Sequence, residues 1–240
     1  MKIYLLNIGE LIRESHESRF SELLPKLDET RREKVLAAKT PQVRAAELGA
    51  GLLLQKAVQD RLVQKADCGA VRGFAQEISQ GSPPDGVLCT VSGLASQLEA
   101  PLALTYHYGE KGKPFFKEIP LFFSLSHSGD YVLCAVSCRE LGADIQRLQP
   151  VDVLKLSRRF YSEPECLALE RCADEKERQR LFFELWSRKE AWGKLTGKGV
   201  AAVLGQDLTS GKAAQDIEWA AASPPEGYAL AVCVRRKHSV

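Results

Sequence analysis

LFFELWSRKEAWGKLTGKGV, residues 181–200, sets charged side chains inside a strongly apolar helical pattern. Phe182, Leu185, Trp186, Trp192 and Leu195 recur at spacings that make one apolar helix face. Glu190 and Lys194 stand four residues apart on another edge, with Lys189 as a further cation beside them, and the Gly197-Lys198-Gly199 turn ends the helix. Alone, the segment reads equally well as an amphipathic core helix carrying an i,i+4 Glu–Lys pair. Two upstream segments change that balance: FSLSHSG at 123–129 and GADIQ at 142–146 also embed polar groups in apolar sequence. The three together look like one assembled site.

The rest of the composition bounds what such a site can be. With 240 residues and 45% hydrophobic content, the chain can form one large domain or two small ones, each with a real core. Its 33 basic and 31 acidic residues nearly cancel, which argues against a protein that lives on nucleic acid or on a membrane surface, so any cationic site must be local. The seven cysteines form no CxxC pair and sit mostly in apolar runs such as 132–136. They read as reduced core residues of a cytoplasmic protein, not as a disulfide framework or zinc cluster. MKIYLLNIGE at the start suits a first strand better than a signal peptide, and no apolar run approaches a membrane span.

Working outward, residues 2–8 are expected to form a strand and residues 10–24 a helix stopped by Pro25. Asp28 can cap a second helix through Arg31, Lys34 and Leu36, and a third should run over 43–62 with Arg44 near its start. Residues 67–103 lose periodicity and read as a loop-rich insertion. An extended stretch over 106–116 leads to a strand and turn at 122–129. Residues 131–137 and 141–145 then read as neighbouring strands across a short polar link. Helices over 157–161, 164–171 and 179–196, and strands near 218–221 and 228–234, complete the pattern.

Asp144 lies in a strand expected to be buried, so its charge needs a cation, hydrogen bonds or an altered pKa. A metal answers that need economically, and a few carboxylate oxygens completed by water and phosphate suit Mg2+. A strand-end acid or a buried ion pair would also answer it. Gln146, two residues on, shares the Asp144 face and can offer a carboxamide oxygen. His127 stands at a turn where a side chain can face a ligand or serve the structure. Lys113, between Gly112 and Pro114, sits in a stiffened loop that could cradle a nucleotide or simply be solvated. There is no nucleophile elbow, no His-x-x-x-His pair, no dinucleotide fingerprint and no P-loop.

In order, spacing and residue type, GKPFF at 112–116, FSLSHSGDYV at 123–132, GADIQ at 142–146 and FFELWSRKEAWGKLTGKGV at 182–200 resemble the motif series of the Sfp-type 4′-phosphopantetheinyl transferases. A weaker echo lies at Arg31, Lys34 and Arg44; about half the chain carries the likeness. The resemblance implies an α+β fold of two similar halves around a pseudo-twofold axis, with residues 1–140 and 141–240 as the halves and the site between them. It implies a monomeric enzyme that transfers the 4′-phosphopantetheine of coenzyme A to a serine of an apo acyl- or peptidyl-carrier protein of fatty acid, polyketide or peptide assembly. Asp144, Gln146 and Glu190 would hold Mg2+, although the family more often has a second acid where Gln146 stands. Glu190 and Lys194 would be catalytic. Lys34, Arg44, Lys113, Pro114, Ser126, His127 and Lys189 would contact coenzyme A. A noncatalytic homologue that binds coenzyme A or a carrier protein is the alternative.

Overall fold

The computed structural model describes residues 1–13, 17–67, 87–90, 98, 100–210 and 215–236. They form an α+β structure, and both of its larger sheets are antiparallel at their centres. Strands β1 (Lys2–Asn7), β2 (Val87–Thr90), β5 (Phe122–Ser128) and β6 (Tyr131–Ser137) make one sheet in the order β2-β1-β6-β5, with only β2 parallel to its neighbour. A second sheet has the order β7-β9-β8, from β7 (Leu141–Arg147), β8 (Ile217–Trp219) and β9 (Tyr228–Arg235). A short hairpin pairs β3 (His107–Tyr108) with β4 (Pro114–Phe115).

Period-2 alternation explains how these sheets stack. Tyr4, Val132, Cys134 and Val136 point one way, into a cluster with Leu48, Leu52 and Leu53 of the long helix α4 (Pro41–Asp67). Ile3, Leu5, Leu133 and Ala135 point the other way and meet Leu141, Ala143, Ile145, Val232 and Val234 of the second sheet. The opposite face of that sheet, with Ala231 and Cys233, packs on Ala191 and Leu195 of the helix that contains residues 181–196. The layers therefore run helix, sheet, sheet, helix. Strand β6 is covered on both faces, which is why its sequence is an unbroken apolar run. Fully burying one of its Val or Leu side chains contributes roughly 1.5–3 kcal/mol.

Local signals set most element ends. Helices α1 (Gly9–Arg13) and α2 (Glu17–Leu23) precede a 3-10 turn at Leu24–Lys26, and α3 (Glu29–Ala37) starts where Asp28 accepts from the Arg31 N–H at 3.1 Å. After β7 come α5 (Val153–Phe160), α6 (Glu163–Glu170) and α7 (Glu175–Thr196). Asp174 caps α7 by accepting from the Glu177 N–H at 2.8 Å, and Gly197, at φ 68°, ends it in the left-handed conformation that glycine adopts freely.

Two expectations are corrected. Strands β6 and β7 are not neighbours in one sheet: β6 bonds to β1 and β5, β7 bonds to β9, and the link at 138–140 crosses from one sheet to the other. The supposed loop-rich insertion contributes β2, because Val87-Leu88-Cys89-Thr90 is apolar and β-branched enough to extend a sheet edge. Residues 68–86, 91–97 and 99 of that insertion lie outside the described residues. No helix among the described residues is long and apolar enough to cross a membrane, and Cys134, Cys138, Cys166, Cys172 and Cys233 are free thiols.

Candidate active site

Serines join β5 and β7, the edge strands of the two stacked sheets. Alternation on β5 puts Ser124, Ser126 and Ser128 in one row, and alternation on β7 puts the N–H groups of Ala143, Ile145 and Arg147 in another. Each N–H donates to one hydroxyl, at 3.0 Å for Ala143 to Ser124, 3.4 Å for Ile145 to Ser126 and 2.9 Å for Arg147 to Ser128. These bonds satisfy the outward N–H groups of β7, which have no strand partner on that side.

Gly142, Asp144 and Gln146 share the other alternation of β7, and α7 lies close to them. A Cβ on Gly142 would stand 1.8 Å from the Ala191 carbonyl oxygen and 2.5 Å from the Leu195 nitrogen, so only glycine permits this approach. The close packing brings Lys194 onto Asp144. The Lys194 ammonium donates to Asp144 Oδ1 at 2.7 Å, to Ser126 Oγ at 2.8 Å and to the Ala143 carbonyl at 3.2 Å. The Ser126 hydroxyl donates to the same Asp144 oxygen at 2.7 Å, and Gln146 Nε2 donates to Oδ2 at 3.0 Å. Asp144 is 1% exposed, so these donors replace its water.

Glu190 is half-buried beside this group. Burial lifts its carboxyl above the usual range, the Asp144 charge lifts it further, and Lys194 acts in the opposite direction. Two carboxylates that feel each other while sharing one ammonium leave room for more positive charge. Among the described residues no group of three or more His, Cys, Asp or Glu is placed to hold a metal, so Asp144, Glu190 and the Gln146 amide are the donors the chain offers there. That set fits Mg2+, which takes few protein oxygens and keeps several for water and phosphate.

A pocket of about 330 Å³ opens beside Lys194. Arg31, Lys34, Lys111, Lys113 and Lys194 line it, and no carboxylate does, while Phe123, Leu125 and Pro114 give it apolar wall. Arg31 is 5% exposed, its Nη1 bonds Glu47 at 3.4 Å, its guanidinium lies 5.4 Å from the Tyr106 ring, and its Nε has no hydrogen-bond partner. Lys113 belongs to the pocket wall, yet its ammonium donates to the Leu195 carbonyl at 2.9 Å and the Leu141 carbonyl at 3.2 Å. Burial lowers its pKa. It thereby ties the β3–β4 hairpin to the end of α7 and the start of β7.

The structure thus gathers Ser126, Asp144, Gln146, Glu190 and Lys194 in one group, with Lys34, Lys113 and Pro114 on the adjoining wall. Ser126 faces Asp144 and Lys194. His127 is exposed and continues the row of Phe123 and Leu125 beyond the lining residues, and Arg44 is exposed in the first turn of α4, also outside the lining. Lys189 requires a correction. It is 0% exposed and ion-paired at 2.9 Å with equally buried Glu165, so it cannot also bind coenzyme A. The serine row, Arg31 and Lys111 were the contributors that sequence reasoning missed or gave little weight. Only the serine row carried a visible signal, its strict alternation.

Residues 140–233 match the model of the 4′-phosphopantetheinyl transferase superfamily. The transferase AcpT of Salmonella typhi is 34% identical over 154 residues, a match that covers 58% of this chain and 79% of that protein. The chain belongs to the 4′-phosphopantetheinyl transferase superfamily. The transferase psf-1 of Bacillus pumilus is 48% identical over 92 residues, 38% of each chain. Sfp of Bacillus subtilis is 38% identical over 96 residues, 40% of this chain and 42% of its own. The match with these last two therefore spans about two fifths of the length of each. The superfamily segment, residues 140–233, holds Asp144, Gln146, Glu190 and Lys194.

Proposed function

We propose that the protein transfers the 4′-phosphopantetheine group of coenzyme A to a serine hydroxyl of an apo acyl- or peptidyl-carrier protein. The observation that carries this reading is the acidic Asp144–Glu190 pair, with Lys194 upon it, beside a pocket whose charged lining residues are all cations. Coenzyme A is a small polyanion with an apolar-faced adenine, and the pocket matches it in both respects. The reaction forms a bond from the carrier serine oxygen to the β-phosphorus and breaks that phosphorus's bond to the bridging oxygen, releasing 3′,5′-ADP.

Residues of this chain would divide the work as follows. Lys194, held between Asp144, Ser126 and the pocket, meets the phosphate and offsets charge that grows on it. Glu190, with its raised pKa, takes the proton of the attacking serine directly or through water. Lys34, Arg31 and Lys111 draw in the nucleotide phosphates, and Lys113 and Pro114 shape the hairpin beside them. Asp144, Glu190 and Gln146 would hold Mg2+, which supplies charge neutralisation to the pyrophosphate when bound. A half-turn of the Gln146 amide would present its oxygen in place of the nitrogen that now bonds Asp144.

The same reading takes residues 1–140 and 141–240 as two related halves. The helix–sheet–sheet–helix order supports it, since α4 backs one sheet and α7 the other. Incubation with an apo carrier protein, coenzyme A and Mg2+, followed by mass spectrometry of the carrier, tests the activity. Addition of phosphopantetheine to the carrier serine is expected. Binding of coenzyme A without any addition, across acyl and peptidyl carriers, refutes it.

A further inference from the structure

Glu165 and Lys189 are both fully buried, and their ion pair has no part in the chemistry above. Glu165 Oε2 accepts from the Ser162 N–H and hydroxyl, each at 2.9 Å, and Oε1 accepts from the Leu208 N–H at 3.2 Å. The Lys189 ammonium also donates to the Gln206 carbonyl at 2.6 Å and lies 5.3 Å from the Tyr161 ring. One pair thus joins α7 to the start of α6 and to residues 206–208. Replacing both members of a buried pair with neutral groups is commonly neutral for stability or even favourable, so stability alone gives no reason to bury this one.

What the pair does constrain is rotation. Consecutive helix residues are about 100° apart, so a helix held at Lys189 from behind has its Glu190 turned to a fixed direction. That direction is toward β7, where the Asp144 charge is felt at Glu190. Farther along α7, the contact of Ala191 and Leu195 with Gly142 fixes how closely the helix approaches β7. The Glu165–Lys189 pair adds a second anchor, on another face of the helix. We propose that the buried Glu165–Lys189 pair is a positioning device that sets the rotation of α7 and so holds Glu190 toward Asp144, an inference that rests on the transferase reading for its turnover measurement.

The test compares the parent with the double variant Glu165→Gln/Lys189→Met, which removes both charges and keeps side chains of similar length. The variant is expected to stay folded, to bind coenzyme A within about twofold of the parent by calorimetry, and to lose roughly tenfold or more in kcat, the scale on which a misdirected group acts. Its affinity for Mg2+, titrated with coenzyme A present, should weaken in parallel. A purely structural pair predicts instead that a folded double variant keeps both kcat and Mg2+ affinity, and that result overturns the proposal. Should the double variant not fold, Lys189→Met alone, which leaves Glu165 its donors from Ser162 and Leu208, is read by the same measurements. If the parent adds no phosphopantetheine to any carrier, the transferase reading fails. Positioning is then decided by the Mg2+ titration alone, with unchanged affinity in the variant counting against it.

Discussion

Gly142→Ala probes how tightly the site depends on the approach of α7 to β7. The new Cβ would sit 1.8 Å from the Ala191 carbonyl oxygen, about 1.2 Å short of the 3.0 Å below which real Cβ contacts essentially do not occur. The obstacle is helix backbone, not a side chain that can swing away, so α7 has to move outward by about that distance. The Lys194–Asp144 contact, now 2.7 Å, would then open beyond hydrogen-bonding range, and Glu190 would retreat with it. A displacement of roughly 1 Å at a reacting group costs on the order of a hundredfold in rate. Overpacking of this kind costs about 1–3 kcal/mol, and each kcal/mol lowers Tm by roughly 2–4 °C in a chain of this size. Thermal unfolding and carrier modification at saturating coenzyme A measure the two effects. A folded Gly142→Ala protein with the parent's kcat would refute the claim that this contact sets the catalytic geometry.

Gln146→Glu replaces the donor that now bonds Asp144 Oδ2 with a second carboxylate; it should lower the Mg2+ concentration for half-maximal turnover and lower Tm when Mg2+ is removed, and a parent-like metal titration would contradict this. Glu190→Gln addresses the raised carboxyl pKa. Between the ordinary carboxylate pKa and the raised one the native state binds more protons than the unfolded state, so the parent loses stability as pH rises through that window. The metal-free variant should therefore be more stable than the parent at neutral pH, with the advantage vanishing in acid, while transfer is lost; equal Tm values across pH would count against the shift. Lys113→Met removes the donor shared by the Leu141 and Leu195 carbonyls and should cost about 1–3 kcal/mol in urea unfolding. It should also weaken coenzyme A binding, and parent-like values of both would deny the tether.

Much of this arrangement is legible in the sequence, for reasons that are local. The Asp28 cap, the Gly197 terminus and the apolar run of β6 each follow from neighbours within a turn or two of chain. The partition of strands is not local. The link at 138–140 is short enough for a hairpin, whereas the partner that β7 takes, β9, lies some eighty residues on. Lys189 was misread because its charge suggested a ligand, although its position falls on the same helix stripe as Phe182, Leu185 and Trp192, which is the buried one. Its acid, Glu165, lies on a different helix, and no spacing rule connects the two. The cationic pocket likewise draws on α3, the β3–β4 hairpin, β5 and α7, so only the folded chain brings Arg31 and Lys111 beside Lys194.

The serine row between β5 and β7 works as an index. An ordinary ladder can slip and find a new set of carbonyls at each step, because every residue carries an acceptor; here the acceptors are three hydroxyls, separated by Leu125 and His127. A slip of one residue would bring those two side chains to the seam and leave β7 without any of the three partners. A slip of two, about 6.6 Å along the strand, would keep at most two of the three. The two sheets are thus coded to a single alignment, and that alignment is the one in which a serine of β5 reaches the aspartate of β7.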